Sequence, residues 1–338
     1  MPAFDISDNA SRVLYIATVV LNCFLIHLTV YHTKQINGAY RSMIVIFALM
    51  GLWFTSLDIL VRPLMHSYNS CIMYFTLGGT FRGLKRAAEA SLLVYSAMYG
   101  ILIAFLCIQF IYRACVLARP IWSKIFDGWK LIYWLLYCLI IGGLWSYATF
   151  LCSSDTMTNR YMRNEIRSNY GVDIRNVAYF ALMGYNYNGT EKTLRWNSVS
   201  TFSMFVVILL TQYVICLVCG FIMYRRIEGN ASSTSNQYQK LQHQFFKALI
   251  YQLAAPCICF HIPSFFFYIA PFFELEISFR STIIIYGFNV YPLTDSLILL
   301  TVISEYKIAL KSEENCLGGT LSLVRLFSQL VPLSISRL

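Results

Sequence analysis

Long apolar runs, separated by short polar segments, recur along the whole chain. A helix needs roughly 20 apolar residues to cross the ~30 Å hydrocarbon core of a bilayer. Each run that approaches this length predicts a helix, because lipid offers no partner for an open backbone hydrogen-bonding group. The predicted spans lie near residues 13–31, 43–62, 89–112, 131–151, 199–224, 248–271 and 281–303. We therefore expect an all-α integral membrane protein, with one seven-helix bundle over residues 13–310.

Charge in the short loops predicts the orientation of this bundle. Lysines and arginines follow the first, third and fifth predicted spans, at Lys34, Arg41, Arg113, Arg119, Lys124, Lys130, Arg225, Arg226, Lys240 and Lys247. Short loops rich in these residues stay in the cytoplasm. The N-terminus is therefore expected outside the cell, with residues 1–12 as an extracellular tail and residues 311–338 as a cytoplasmic tail.

Composition and motifs argue against an enzyme. The chain is 58% hydrophobic and only 12% charged, whereas soluble domains carry about 25% charged residues. It has no P-loop, no H-E-x-x-H and no G-x-S-x-G motif. His27 and His261 lie within spans without a neighbouring carboxylate, and the last span has no lysine to hold retinal. We expect no catalytic residues, no metal, no cofactor and no nucleic-acid partner.

The expected external segments contain modification candidates. Asn9 and Asn188 each begin an N-x-[ST] sequon, which predicts glycosylation. Cys71 and Cys152 fall in external loops, where an oxidising environment allows a disulfide between them. Two free thiols are the alternative.

Two carboxylates lie within the predicted spans, where ionisable groups are costly and often functional. Asp58 precedes Arg62 by one helical turn, so an ion pair at the outer interface is the favoured interpretation and a polar anchor for a ligand is the alternative. Asp295 lies deeper, at a depth similar to that of Asn22. A buried carboxylate needs hydrogen-bond partners or a proton, which favours a polar lock between helices that rearranges on activation.

Two further features concern the inner half of the bundle. Arg113 follows Tyr112 at the inner end of the third span, and this position by itself favours an arginine that anchors the helix at the membrane surface. Pro256 and Pro263 lie inside the sixth span, where each removes a backbone hydrogen bond and permits a kink. The two prolines predict a hinge.

The outer halves of the helices are aromatic, which suits a small, mostly apolar ligand held by a few polar groups. Interfacial belts and helix packing are the alternative role of such side chains. With Asp58 as a polar anchor, the candidate ligand-binding residues are Ser91, Tyr95, Tyr99, Phe202, Phe205, His261, Phe265, Tyr268, Tyr286 and Asn289.

Several short motifs occur in a characteristic order around the spans. They are Gly38–Tyr40, Pro63–Tyr68, Phe110–Arg113, Trp145, Gln252 with Pro256 and Pro263, Tyr291–Asp295, and Tyr306–Lys307. With these motifs, residues 10–310 resemble the nematode serpentine chemoreceptors of the Str type, a group that includes a diacetyl receptor.

This resemblance implies a GPCR-like fold and an olfactory receptor in the ciliary plasma membrane of a sensory neuron. Its expected partners are a small-molecule odorant and a heterotrimeric G protein. Tyr112 and Arg113 would then engage the G protein, and Asp295 would act as a polar switch. The sequence departs from the pattern at Ala114, Ser296 and Lys307.

Two other classes of seven-helix protein predict different features. A ligand-gated cation channel of inverted topology predicts a cytoplasmic N-terminus, which the basic loops oppose. A transporter predicts paired repeats with broken helices and charges near the midplane, and the sequence shows no such repeat by eye.

Overall fold

Each predicted span is helical in the computed structural model, which describes residues 2–33, 38–81, 83–188, 191–229, 236–273, 275, 278–279 and 283–316. The helices are α1 (Pro2–His27, continued by a π-helical turn Leu28–His32), α2 (Ala39–Val61), α3 (Lys85–Ala118), α4 (Leu131–Phe150), α5 (Thr156–Tyr170), α6 (Trp196–Gly229), α7 (Asn236–Pro256), α8 (Ile262–Ile269), α9 (Ile283–Val302) and α10 (Ser304–Cys316). In the described part of the chain, six helices have the length and composition of a membrane span, and a shorter apolar helix covers Ile262–Phe272. These features confirm the helical-bundle fold class.

The sixth crossing is broken in the middle. It consists of α7, a π-helical turn Cys257–His261, α8 and a short 3-10 turn Ala270–Phe272. Pro256 ends α7 and Pro263 lies in the first turn of α8. Because proline has no N–H to donate, the helix loses regular hydrogen bonds at both positions, and the wider π turn lies between them.

Helix α3 lies in the middle of the bundle, and most of its side chains from Tyr95 to Ala114 are buried. It packs closely against α4 because Gly142 has no side chain. A Cβ atom at Gly142 would lie 2.6 Å from the Ile101 side chain and 2.8 Å from the Ala97 carbonyl oxygen. Small residues allow such close helix contacts in membranes, where packing rather than hydrophobic exclusion holds helices together.

An extracellular layer, which the hydropathy pattern did not predict, covers the outer end of the bundle. Strands β1 (Leu64–Tyr68), β2 (Cys71–Thr76), β3 (Ala178–Met183) and β6 (Ser278–Phe279) form an antiparallel sheet in the order β3-β2-β1-β6. Strands β4 (Tyr185–Asn188) and β5 (Glu191–Leu194) form a separate hairpin. A two-residue turn joins β1 to β2, and Asn69 adopts a left-handed φ of 45° there.

Alternate residues of this sheet face opposite ways. One face, with Met73 and Tyr179, packs under Met162 and Ile166 of α5. The other face points toward the bundle, and Phe180 belongs to it. Because Asp155 caps the first turn of α5 by accepting a hydrogen bond from the Thr158 amide at 2.7 Å, this helix has a well-defined start above the sheet.

The alternation of side chains between the two faces of the sheet also determines whether the predicted disulfide can form. Cys71 belongs to the face under α5, whereas Cys152 packs with the face toward the bundle, so the two side chains lie on opposite sides of the sheet. Both are buried free thiols, and the predicted bridge is not formed. Burial raises the pKa of the Cys71 thiol to about 12.

Helical structure extends beyond both ends of the predicted seven-helix domain. Residues 2–12 are helical and continuous with the first span. At the other end, α10 follows α9 directly, and the Tyr306 and Thr29 hydroxyls lie 2.8 Å apart in a hydrogen bond that ties α10 to α1. Residues 317–338 of the predicted cytoplasmic tail lie outside the described residues.

Candidate functional site

A cavity of about 120 Å³ lies in the outer half of the bundle, beneath the sheet. It is lined by side chains of α3, α4, α6, α8 and α9 and by the inner face of the sheet. Seven of the predicted ligand-binding residues line it: Tyr95, Tyr99, Phe202, Phe205, His261, Phe265 and Tyr268.

Aromatic rings form most of the cavity wall. The indole of Trp145 stacks on Phe205 with ring centroids 4.4 Å apart, and Tyr99 lies 4.6 Å from Phe288. Among the described residues that line the cavity there is no Asp, Glu, Lys or Arg. Because an ion would lose its hydration there without a counter-charge, the site suits an uncharged ligand.

Most of the polar groups around the cavity bond to one another. The Ser96 and Thr149 hydroxyls lie 2.7 Å apart, and the Thr201 hydroxyl donates to the Ala148 carbonyl at 2.8 Å. The Ser264 hydroxyl differs, since it is buried and has no hydrogen-bond partner among the residues that the structure describes. A buried hydroxyl without a partner costs roughly 1–3 kcal/mol, so a ligand with a polar atom near Ser264 would recover this energy.

His261 connects three helices at the inner end of the cavity. Its Nε2 atom bonds to the Tyr99 hydroxyl of α3, and its Nδ1 atom lies 2.5 Å from the Tyr213 hydroxyl of α6. The imidazole sits in the π turn of the broken sixth crossing. A ligand that contacts His261, or the Tyr99 hydroxyl bonded to it, therefore contacts the irregular π turn of the sixth crossing.

Asp58 does not line the cavity, and neither does Asn289. The Tyr95 hydroxyl donates to the Asn289 amide oxygen at 2.9 Å, and the buried Asp58 carboxylate lies beside both side chains. The favoured interpretation, an interfacial ion pair with Arg62, does not describe this environment. Asp58 instead belongs to a polar cluster between α2, α3 and α9 behind the cavity wall.

Ser91 and Tyr286 also lie away from the cavity lining. The Ser91 hydroxyl donates to the Ala88 carbonyl of its own helix at 2.8 Å. On α9, Ile285 and Phe288 line the cavity. Tyr286 follows Ile285 by one residue, which turns it about 100° to another side of the helix.

Sequence reasoning missed the whole contribution of the sheet and of α4, and it also missed several lining residues on the predicted spans, among them Ser264 of α8 and Phe288 of α9. The sheet contributes Met65, Ile72, Tyr74, Phe180 and Leu182. Their alternation of inward and outward side chains was the available signal. Next to apolar spans, however, a short run such as Leu64–Tyr68 is indistinguishable from the end of a helix.

The cytoplasmic end of the bundle holds the predicted coupling residues. The Arg113 guanidinium lies between two rings, 3.4 Å from the centroid of Tyr40 and 3.6 Å from that of Phe245. Its Nη1 atom also donates to the Gln242 side chain at 3.5 Å. Arg113 is only 5% exposed, so the expectation of a surface anchor was wrong. We call Tyr40, Phe245 and Gln242 the arginine cage.

Tyr112, the neighbour of Arg113, supports this cage from the side. Its ring stacks parallel to Tyr40 with centroids 6.0 Å apart and meets Phe126 edge-on at 5.3 Å. Phe126 belongs to the loop between α3 and α4, so the ring cluster links that loop to the start of α2.

A polar layer lies between the cavity and the arginine cage. The Gln252 amide donates to Asp295 at 2.7 Å, and the Ser296 hydroxyl donates to the Asn22 amide oxygen at 3.0 Å. All four side chains are buried. Asp295 thus has a hydrogen-bond partner on the sixth crossing, as a lock between helices requires, and its role in switching remains a prediction.

The structure describes the backbone positions of the two glycosylation candidates. Asn188 ends β4, next to the tip of the β4–β5 hairpin, and Asn9 lies in α1. Their side chains fall outside the described part of the chain, so glycosylation stays a prediction.

Residues 7–311 match the family described as serpentine type 7TM GPCR chemoreceptor Str. The chain is 38% identical to "G-protein coupled receptor str-33" of Caenorhabditis elegans over 310 residues, which cover 90% of each chain. It is 25% identical to "Serpentine receptor class r-10" of Caenorhabditis briggsae, covering 89% of this chain and 88% of the relative. These relatives are named as receptors, not as enzymes, and their names give no support to the channel alternative.

Proposed function

The chain belongs to the Str family of serpentine chemoreceptors, and on that premise we propose that it detects a small uncharged odorant and activates a heterotrimeric G protein. The observation that carries the proposal is the aromatic cavity, connected by the broken sixth crossing to a caged arginine at the cytoplasmic end. The placement in the plasma membrane of a sensory cilium rests on the family resemblance.

The cavity restricts the ligand in size and polarity. An apolar cavity of ~150 Å³ holds a molecule of about the size of benzene, and this cavity measures about 120 Å³. The ligand is therefore a compact molecule with an apolar body and a polar atom that reaches the Ser264 hydroxyl. A free acid or amine is excluded, because the lining offers no opposite charge.

Activation would change the contacts of the sixth crossing at both of its ends. In the resting arrangement His261 is held by Tyr99, and Phe245 holds Arg113. A ligand shifts a receptor only by binding one arrangement better than the other. We expect the ligand to favour a position of α8 that, through the hinge around Pro256, moves Phe245 away and exposes Arg113 to the G protein.

A screen with a G-protein readout tests the proposal. The receptor is expressed in cells with a reporter of G-protein activation and exposed to small neutral alcohols, ketones, esters and aromatic compounds. Ser264→Ala should raise the half-maximal concentration of an active compound by roughly 2- to 12-fold, the equivalent of one hydrogen bond of ~0.5–1.5 kcal/mol. Ser91→Ala is the control, because Ser91 bonds within its own helix.

The coupling end is tested separately with two arginines on one helix end. Arg113→Ala should abolish the response while the receptor stays at the cell surface. Arg119→Ala should retain the response, because Arg119 packs against Trp122 outside the cage, with its guanidinium 5.0 Å from that ring. A normal response in Arg113→Ala would contradict the proposed role of the cage.

A further inference from the structure

The outer end of the cavity is covered by buried side chains of the sheet. Met65, Ile72, Phe180 and Leu182 line the cavity, and each is at most 5% exposed. Side-chain hydrogen bonds attach the sheet to the helices, including one from the Thr76 hydroxyl to the Val61 carbonyl at 2.6 Å. The sheet is therefore a roof that separates the cavity from the extracellular water.

Polar contacts hold this roof together from above. His66 of β1 lies 3.0 Å from the Glu165 carboxylate of α5, and Ser278 of β6 donates to the same carboxylate at 2.6 Å. Arg195, at the start of α6, pairs with Asp155 at the start of α5. Opening the roof requires these contacts to break together, which leaves the charges of Glu165, Asp155 and Arg195 without their partners.

The side of the cavity between α6 and α8 is built differently. Phe265 lines the cavity and yet is 44% exposed on the membrane-facing surface. Its ring faces Phe202 of α6 at a centroid distance of 5.7 Å, and Phe205 faces Tyr268 at 5.8 Å. Ring-to-ring contacts such as these add little beyond their buried area, and side-chain rotation alone separates them.

The depth of this wall places it in the hydrocarbon region. Phe202 lies six residues below the start of α6 at Trp196, which corresponds to about 9 Å along a helix. Phe265 lies seven residues below Phe272, the end of the sixth crossing. Both rings therefore lie within the apolar segments of their crossings, at the depth of the outer leaflet.

The backbone of α8 makes this wall movable. The helix has eight residues between the π turn Cys257–His261 and the 3-10 turn Ala270–Phe272. Sharp bends in helices occur at prolines and π-bulges, and Pro263 lies beside the π turn. A small deflection of α8 separates Phe265 from Phe202 and leaves the roof contacts intact.

We propose that ligands enter this cavity sideways from the outer leaflet of the membrane, through a portal between α6 and α8 that Phe202 and Phe265 close. The inference rests on the proposed function in taking this cavity as the ligand site. It adds a chemical class to the ligand: an uncharged compound that partitions into lipid before it binds.

The thiol of Cys152, which lines the cavity, provides a test that needs neither an agonist nor a G protein. The full-length receptor in lipid vesicles is treated with benzyl methanethiosulfonate, which is neutral and enters lipid, or with trimethylammonioethyl methanethiosulfonate, which is cationic and stays in water. Both reagents carry the same reactive group. Labelling of the Cys152 peptide is followed by mass spectrometry and normalised to the unfolded receptor, with Cys152→Ser as the blank.

The expected result is that the neutral reagent labels Cys152 at least 10-fold faster than the cationic one. Phe265→Trp should slow the neutral reagent several-fold and Phe265→Ala should accelerate it. Phe266→Trp is the matched control, since Phe266 is 64% exposed and does not line the cavity. Faster labelling by the cationic reagent, equal rates for Phe265→Trp and Phe266→Trp, or no labelling by either reagent would overturn the portal. Loss of signalling with normal labelling would instead count against the proposed receptor function alone.

Discussion

The arginine cage makes a prediction about the resting activity of the receptor. In Phe245→Leu the side chain stays apolar, but the aromatic ring 3.6 Å from the Arg113 guanidinium is lost. A cation over an aromatic ring contributes ~0.5–1 kcal/mol at an exposed site and about 2 kcal/mol when desolvated. Because Arg113 is 5% exposed, we take about 1–2 kcal/mol as the stabilisation of the resting arrangement that Phe245→Leu removes.

This energy converts directly into a change in populations. Every 1.4 kcal/mol changes an equilibrium about tenfold, so losing 1–2 kcal/mol from the resting state favours the active state by roughly 5- to 30-fold. A receptor with about 1% of its molecules active at rest, within the usual range for a minor state, would rise to about 5–20%. The assay is nucleotide exchange on the G protein without ligand, normalised to the amount of receptor at the cell surface.

The neighbouring phenylalanine provides the control. Phe246 packs with the cluster of α3 and α6 that includes Phe110 and Met223, away from the arginine cage. Phe246→Leu loses a similar amount of apolar contact and should leave the basal activity unchanged. If both variants raise basal activity equally, general loosening of the helix explains the result. If Phe245→Leu at normal surface levels leaves basal activity unchanged, the cage does not hold the resting state.

Three further predictions concern the stability of the fold. Gly142→Val should reduce surface expression, because the new Cβ would lie 2.6 Å from the Ile101 side chain and overpacking costs about 1–3 kcal/mol. Gly143→Val is the control and should be expressed normally, because the space around Gly143 is open. Arg195→Gln should lower the melting temperature by several degrees through loss of a partly buried ion pair with Asp155, worth roughly 2 kcal/mol, between the values for exposed and buried pairs. Arg175→Gln, whose side chain is 65% exposed, should change the melting temperature little. Dithiothreitol should leave the melting temperature of the receptor unchanged, because Cys71 and Cys152 are free thiols.

The membrane spans were predictable because one physical requirement determines them. Each span must satisfy its backbone internally and present apolar side chains to lipid, and both requirements are visible in a local window of sequence. The extracellular strands lack such a local signature. The pairing of β2 with β3 joins residues about 100 positions apart. Nothing in the sequence of Ala178–Met183 indicates which strand it pairs with.

The depth and the residue types of the cavity lining were predictable, but the direction in which each side chain points was not. Tyr99 and His261 line the cavity because both lie at its depth, and their role in ligand binding stays a prediction. Asp58 and Arg113 were assigned from their distance to the membrane surface, and in both cases the side chain turns into the bundle. Their partners come from distant helices, as in the contact of Arg113 with Phe245, so sequence position alone could not reveal them.

The sixth crossing connects three polar sites at different depths of the bundle. It contributes Phe245 to the arginine cage, Gln252 to the bond with Asp295, and His261 to the bond with Tyr99. Phe245 and His261 are 16 residues apart, which spans ~24 Å at 1.5 Å per residue. A helix segment that rotates about the hinge must exchange these contacts in one movement, because a buried polar group left without its partner costs roughly 1–3 kcal/mol. States in which only one contact is exchanged are therefore disfavoured, and we expect the fold to behave as a two-state switch between the cavity and the cytoplasm.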